Sequence, residues 1–213
     1  AIAVGRNKLN MTSKPDSMRM KQAAAAVGQC SLMYLYDKFF GDYDKTVAQI
    51  LLNAEDIEQE EKKENLINTF NALLEMGVIP IVNENDSVSY KEIESEDRLF
   101  GDNDMLSAVV AVLCRARHLV ILSDIDGFYD HDPRLYPNAK LIEQIDTIDD
   151  SVYALAGGAG SRRGTGGMRT KLQAAALATS QGTDTIVTNG KHPEALYDIV
   201  KGLHAGTLFP GKI

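Results

Sequence analysis

The stretch Asp104-Met105-Leu106-Ser107-Ala108-Val109-Val110-Ala111-Val112-Leu113-Cys114-Arg115-Ala116-Arg117-His118-Leu119-Val120-Ile121-Leu122-Ser123 decides the fold class. Residues 104–117 are apolar almost all round, which predicts a well-buried helix. The six residues that follow form a short, branched and nearly uninterrupted apolar run. That is how a strand covered on both faces reads, and such strands are usually parallel. Three more runs of this type lie outward from it, at Thr46–Leu52, Val78–Val82 and Thr185–Thr188. Pro80 is discordant in the second, because it removes a ladder donor. Helical patterns occupy 57–76, with Ile67, Phe70 and Leu74 on one stripe, then 167–181 and 193–201. Strands alternating with helices predict an α/β chain with a parallel sheet covered on both faces. Ligands of such sheets bind where strand C-termini meet helix N-termini.

Four segments stand at such junctions. Asn83-Glu84-Asn85-Asp86 follows the strand expected to end at Val82, and its short polar side chains suit a small polar ligand or an Asx-rich turn. Gly101-Asp102-Asn103-Asp104 leads into the apolar helix. Capping explains one of these residues, and a helix N-terminus also suits a carboxylate or phosphate. Ser123-Asp124-Ile125-Asp126-Gly127, running on to Asp130-His131-Asp132-Pro133, has the composition of a calcium loop. A strand precedes it where an EF-hand requires a helix, so calcium is rejected in favour of a nucleotide or its Mg²⁺, or a solvated turn. Gly164-Thr165-Gly166-Gly167-Met168-Arg169-Thr170-Lys171 opens a helix. Its glycines admit an anion close to the backbone, and Lys171 reaches the same anion from one turn in. The glycine-to-lysine spacing is wrong for a Walker A loop, and the third glycine of a dinucleotide fingerprint is missing.

Composition narrows the alternatives. A chain of 213 residues with 44% hydrophobic and 24% charged residues can bury one sizeable core. A net charge of −8 and no clustered Lys/Arg face argue against nucleic acid. No apolar run reaches membrane-spanning length and no signal peptide is evident, so a cytoplasmic location is expected. Cys30 and Cys114 read as two buried reduced thiols, and the histidines lack metal-ligand spacing, so no protein-held metal is expected. His118 reads as structural and the acidic run Glu55–Glu64 as a solvated helix face.

In their order along the chain, these motifs resemble the glutamate 5-kinase group of the amino acid kinase family. The likeness also takes in Gln22–Gln29, Thr188-Asn189-Gly190 and the ending Gly206-Thr207-Leu208-Phe209. The resemblance implies a three-layer αβα sandwich with a mainly parallel central sheet. It implies ATP-dependent phosphorylation of the side-chain carboxylate of L-glutamate to L-glutamyl 5-phosphate, with Mg²⁺ accompanying the nucleotide, in proline biosynthesis. By the same likeness Asp86 and Asn103 bind glutamate. Lys171 and Asp104 are catalytic, the lysine steadying the transferring phosphoryl group and the carboxylate organising the groups around it. Ser123, Asp124, Thr165, Gly166, Gly167, Met168, Arg169, Thr170 and Lys171 hold ATP. Proline as feedback inhibitor and a homo-oligomer are also implied. The chain is expected to be one amino acid kinase domain over 1–213. Against the family pattern it lacks an N-terminal strand with a lysine, a Gly-Ser phosphate loop, a Ser-Ser-Gly loop and a C-terminal RNA-modification-like domain. These residues alone are expected to be inactive. The rival readings are an acetylglutamate, aspartate, carbamate or uridylate kinase, or a non-catalytic amino-acid sensor.

Overall fold

A computed structural model of the chain describes residues 1–88, 103–156 and 165–212, of which Thr165 and Gly166 are described in backbone only. The chain divides into two compact units, Ala1–Gly101 and Asp102–Ile213.

The first unit begins with α1 (Ile2–Lys8) and the long α2 (Met18–Gly41), which pack against each other through small residues. A Cβ on Gly28 would lie 1.9 Å from the Ala1 carbonyl oxygen, and one on Gly5 would lie 1.7 Å from that of Ala24. Only glycine permits this approach. Gly28→Ala is therefore expected to destabilise the protein by about 1–3 kcal/mol, despite gaining up to ~1 kcal/mol of helix propensity. Thermal melting checks this, and an unchanged midpoint would contradict the packing.

β1 (Val47–Leu52) leads to α3 (Ala54–Glu58), α4 (Glu60–Glu75) and β2 (Ile79–Glu84). The helix expected over 57–76 is thus two, broken at Gln59, which is extended at ψ 113°. Asp56 accepts the Asn53 backbone N–H at 2.8 Å, so part of the acidic run caps a helix as well as meeting solvent. Phe70 is fully buried while Leu74 is half exposed. β1 and β2 are parallel, and Pro80 sits inside β2 opposite Ala48. The ladder tolerates it by parity. Ile79 and Asn85 donate their N–H groups to Thr46 and Leu52 of the β1 side, so odd-numbered residues of β2 face that strand. The donor that Pro80 lacks belongs to the other edge. β2 also outruns its expected end at Val82, because Asn83 and Glu84 continue the register opposite Leu51 and Leu52.

The second unit comprises α5 (Asn103–Leu113), β3 (His118–Ser123), α6 (Asp150–Ala156), α7 (Thr165–Ser180), β4 (Asp184–Asn189), α8 (Ala195–Val200) and β5 (Thr207–Phe209). The helix expected over 104–117 stops at Leu113, and Arg115 turns the chain at φ 48°. The sheet order is β3-β4-β5, with β3 parallel to β4 and β5 antiparallel at its edge. His118 lies 3.5 Å from Asp184 across the first rung of the parallel pair. Leu119, Ile121, Val187 and Phe209 on one sheet face pack with Ala108 and Ala111 of α5 and Leu172, Ala174, Ala175 and Ala178 of α7. Ile186 and Leu208, on the opposite face, share a small cavity with Ile199 of α8. This unit is therefore helix, sheet, helix. The two thiols differ from expectation: Cys30 is exposed on α2, and Cys114, at the end of α5, is half buried, which pushes its thiol pKa up.

Candidate active site

The alanines that join α5 to α7 also bring the first turn of α5 against the second turn of α7. Asp104, Ala108 and Ala111 recur at helical spacing on α5, as do Lys171, Ala174, Ala175 and Ala178 on α7. With side chains this small the two helices approach closely, and the polar residues at the head of each stripe meet. Lys171 Nζ lies 2.7 Å from Asp104 Oδ2, with the two side chains only 15% and 12% exposed. Thr170 Oγ1 stands 3.3 Å from the same carboxylate oxygen and 3.0 Å from the Gly167 carbonyl. A buried ion pair costs desolvation, so it is weak support for stability. What it does provide is an ammonium fixed in direction beside the first turn of α5, whose unpaired N–H groups also favour an anion.

The other residues of the glycine-rich motif divide. Thr165 and Gly166 open α7. A Cβ placed on Gly167 would meet none of the described residues within 4 Å, so their packing does not require glycine there, and close approach by a ligand remains a reason for it. Met168 lines a cleft, and the Arg169 guanidinium stands 5.7 Å from the Tyr153 ring centroid on α6. Gly157, Gly158, Gly160 and Gly164 lie outside the described residues, as do Gly101 and Asp102. Asn103 is the first residue of α5 and is exposed.

Ser123 ends β3 and Asp124 follows it, the hydroxyl 3.4 Å from the carboxylate. Beyond them opens a cleft of about 330 Å³. Its walls include Ile125, Phe128, Tyr129, Tyr136, Leu155 and Met168, and Asp130, His131, Asp132 and Arg134 supply polar groups. A mainly apolar cleft of this size with convergent polar groups suits a planar heterocycle carrying a sugar. The sequence offered a nucleotide-meeting loop or a solvated turn over 123–133; Met168, expected among the nucleotide contacts, lines this cleft, whereas Tyr129, Tyr136 and Leu155 were not expected as its walls. Tyrosine interleaved with acidic residues was the available signal.

In the first unit, Asp86 lies in the turn after β2 and lines a cleft of about 290 Å³ together with Gln29, Cys30, Gln49, Glu84 and Ser87. Asn83 donates to Gln29 Oε1 at 3.2 Å, and the Gln29 amide lies 3.4 Å from Gln49 Oε1. Asn83 is thus tied into its own unit, and Glu84 and Asp86 line the same cleft.

The amino acid kinase family matches residues 2–189. The chain belongs to the amino acid kinase family. Among relatives of this amino acid kinase, the glutamate 5-kinase of Clostridium perfringens is 54% identical over 212 residues, covering 100% of this chain and 78% of that protein. The glutamate 5-kinase of Listeria innocua is 48% identical over 212 residues, covering 100% and 76%. Solved structures share the fold at low identity. The UMP kinase of Bacillus anthracis superposes with a TM-score of 0.61 at 14% identity, covering 98% of this chain and 74% of that one. Aspartokinase III of E. coli, in complex with aspartate and ADP, gives 0.59 at 20% identity, covering 100% and 44%. The α/β amino acid kinase fold expected from sequence is the fold observed.

Proposed function

We propose that this protein transfers the γ-phosphoryl group of ATP to the side-chain carboxylate of L-glutamate, giving L-glutamyl 5-phosphate and ADP, the first step of proline biosynthesis. The observation that carries the choice of acceptor is the 54% identity to a glutamate 5-kinase, spread over the whole chain. The buried Lys171–Asp104 pair supports the phosphoryl-transfer half of the reading.

The chemistry needs little from the protein beyond alignment and neutralisation. A glutamate side chain with an ordinary pKa of about 4.3 is ionised at neutral pH, so its oxygen attacks the γ-phosphorus without a general base. The bond from that phosphorus to the bridging oxygen breaks, ADP leaves with the electron pair, and no proton moves. The obstacle is repulsion between the carboxylate and the triphosphate. Lys171, aimed by Asp104 and Thr170, offers positive charge where the transferring group spreads its own negative charge. Ser123 and Asp124 hold the nucleotide beside the cleft of Tyr129 and Tyr136, and Thr165 to Thr170 line the path of its phosphates.

Among the described residues no cluster of three or more His, Cys, Asp or Glu could by itself hold a metal. Mg²⁺ would arrive on the ATP phosphates, because the ion commonly keeps its waters and takes phosphate ligands. When bound it would neutralise charge on the β- and γ-oxygens. Asp86 takes the α-ammonium of glutamate, since a wall bearing two carboxylates repels the substrate's acidic groups, and Asn103 contributes a neutral polar contact. Proline carries the same α-carboxylate with a secondary ammonium, which suits it to inhibit from the glutamate site. A homo-oligomer belongs to the same reading, with Leu35 and Phe39 of α2 and Tyr43 of the turn after it exposed. A cytoplasmic location belongs to the same reading, because ATP and glutamate are its substrates.

A coupled ADP-release assay on protein expressed from the whole gene tests the acceptor. Glutamate should support turnover, while N-acetylglutamate, aspartate, carbamate and UMP should not. Turnover with N-acetylglutamate in place of glutamate would overturn the assignment. Binding of glutamate with no turnover of any acceptor would point to a sensor.

A further inference from the structure

Two motifs of the last third, Thr188-Asn189-Gly190 and Gly206-Thr207-Leu208-Phe209, take no direct part in phosphoryl transfer, yet both end on the same short segment. Ile125, Phe128 and Tyr129 of that segment form one wall of the 330 Å³ cleft. Thr207, fully buried on β5, accepts the Phe128 N–H at 2.7 Å and donates to the Ile142 carbonyl at 2.6 Å. Ile142 in turn donates its N–H to Phe128 O at 2.8 Å, closing the ring of bonds. At the other end Asn189 donates to Asp126 Oδ1 at 2.7 Å, and Tyr129 donates its hydroxyl to Asp126 Oδ2 at 3.0 Å. The Asn189 oxygen accepts the Lys191 N–H at 3.0 Å, which fixes which way its amide points. Gly190 donates to Ser123 O at 2.8 Å, tying the same turn to the end of β3.

Gly206 holds the segment from below. It adopts φ +83°, and a Cβ there would lie 2.1 Å from Val187 O and 3.0 Å from Asp126 O. The Asn189 amide, and after it the Tyr129 hydroxyl, keep the Asp126 carboxyl below its ordinary pKa, so both of its bonds are charge-assisted at neutral pH.

We propose that Asn189 and Thr207 are positioning residues for the nucleotide: they suspend the Ile125–Tyr129 wall at two points and so set ATP affinity without touching ATP. The proposal rests on the cleft being the nucleotide site of the glutamate-phosphorylating enzyme. The test compares Asn189→Ala, Thr207→Val and Thr207→Ser with the parent enzyme, all expressed from the whole gene. Asn189→Ala and Thr207→Val should each raise the KM for ATP about five- to tenfold, with kcat and the KM for glutamate nearly unchanged. Thr207→Ser keeps the hydroxyl and should restore the parent value. Should Thr207→Val fail to fold in a thermal melt, Asn189→Ala, at the solvent edge, carries the comparison.

An ATP KM unchanged in Asn189→Ala overturns the proposal, as does an equal rise in both KM values. Direct titration with a fluorescent ATP analogue separates this outcome from failure of the functional reading. If the parent releases no ADP with glutamate but binds the analogue, and Asn189→Ala weakens that binding, the acceptor assignment falls and the positioning role stands.

Discussion

Lys171→Ala lowers kcat by about 10²–10³ and leaves the KM for glutamate within about twofold. The expectation follows from where the charge is needed. Bound ATP already carries much of its negative charge in the ground state, but the transferring group spreads its charge over three oxygens only as the bond breaks. An ammonium held in place beforehand acts mainly on that later state. Removing it also strands the Asp104 carboxylate, which is 12% exposed and takes its 2.7 Å bond from Lys171. A buried unpaired charge destabilises a protein by itself. The double variant Lys171→Met with Asp104→Asn separates the two effects, since it is neutral at the pair. If the lost cation matters, the double variant stays slow. If the stranded carboxylate was at fault, it recovers. Steady-state kinetics alongside a melting curve for each variant measures both, and unchanged turnover in Lys171→Ala would remove Lys171 from the chemistry.

Asp86→Ala raises the glutamate KM by about 30- to 100-fold, the equivalent of losing about 2–3 kcal/mol of a charged hydrogen bond, while the ATP KM stays within about twofold. Asp86 and Glu84 share the wall of the 290 Å³ cleft in the first unit, and a wall of that charge suits an ammonium rather than a carboxylate. The same variant should narrow the preference for glutamate over N-acetylglutamate, because the acetylated amine has no charge for Asp86 to meet. Equal rises in both KM values would show that Asp86 holds the fold and not the amino acid.

These two residues show what the sequence reveals and what it hides. Strands β1 to β4 were legible because their runs are branched and continuous, the mark of strands covered on both faces. The helix α2 was not. Its buried face is made of Ala24, Ala25, Gly28 and Gln29, while Tyr34, Leu35 and Phe39 face solvent, so the large apolar residues mark the wrong side. β5 escaped because it is three residues long, and a buried threonine is its most telling feature. Pro80 spoke against a strand only until the ladder's parity was known, which no single sequence displays. The meeting of Lys171 with Asp104 spans 67 positions and was reached through family likeness, since periodicity places each alanine stripe but not the contact between them. The cleft walls from Ile125 to Tyr136 left a nucleotide loop and a solvated turn both open, because their partners, Leu155 and Met168, arrive from distant segments.

The claim beneath all of this is that the glutamate side-chain carboxylate itself receives the phosphoryl group. Glutamate labelled with ¹⁸O in that carboxylate tests it most directly, with hydroxylamine trapping the product and ³¹P NMR reading the released phosphate. Hydroxylamine attacks the acyl carbon, so the bridging oxygen departs with phosphorus. The account predicts phosphate carrying one ¹⁸O in an amount equal to the ADP formed. Phosphate free of label would mean that water, and not glutamate, attacked ATP.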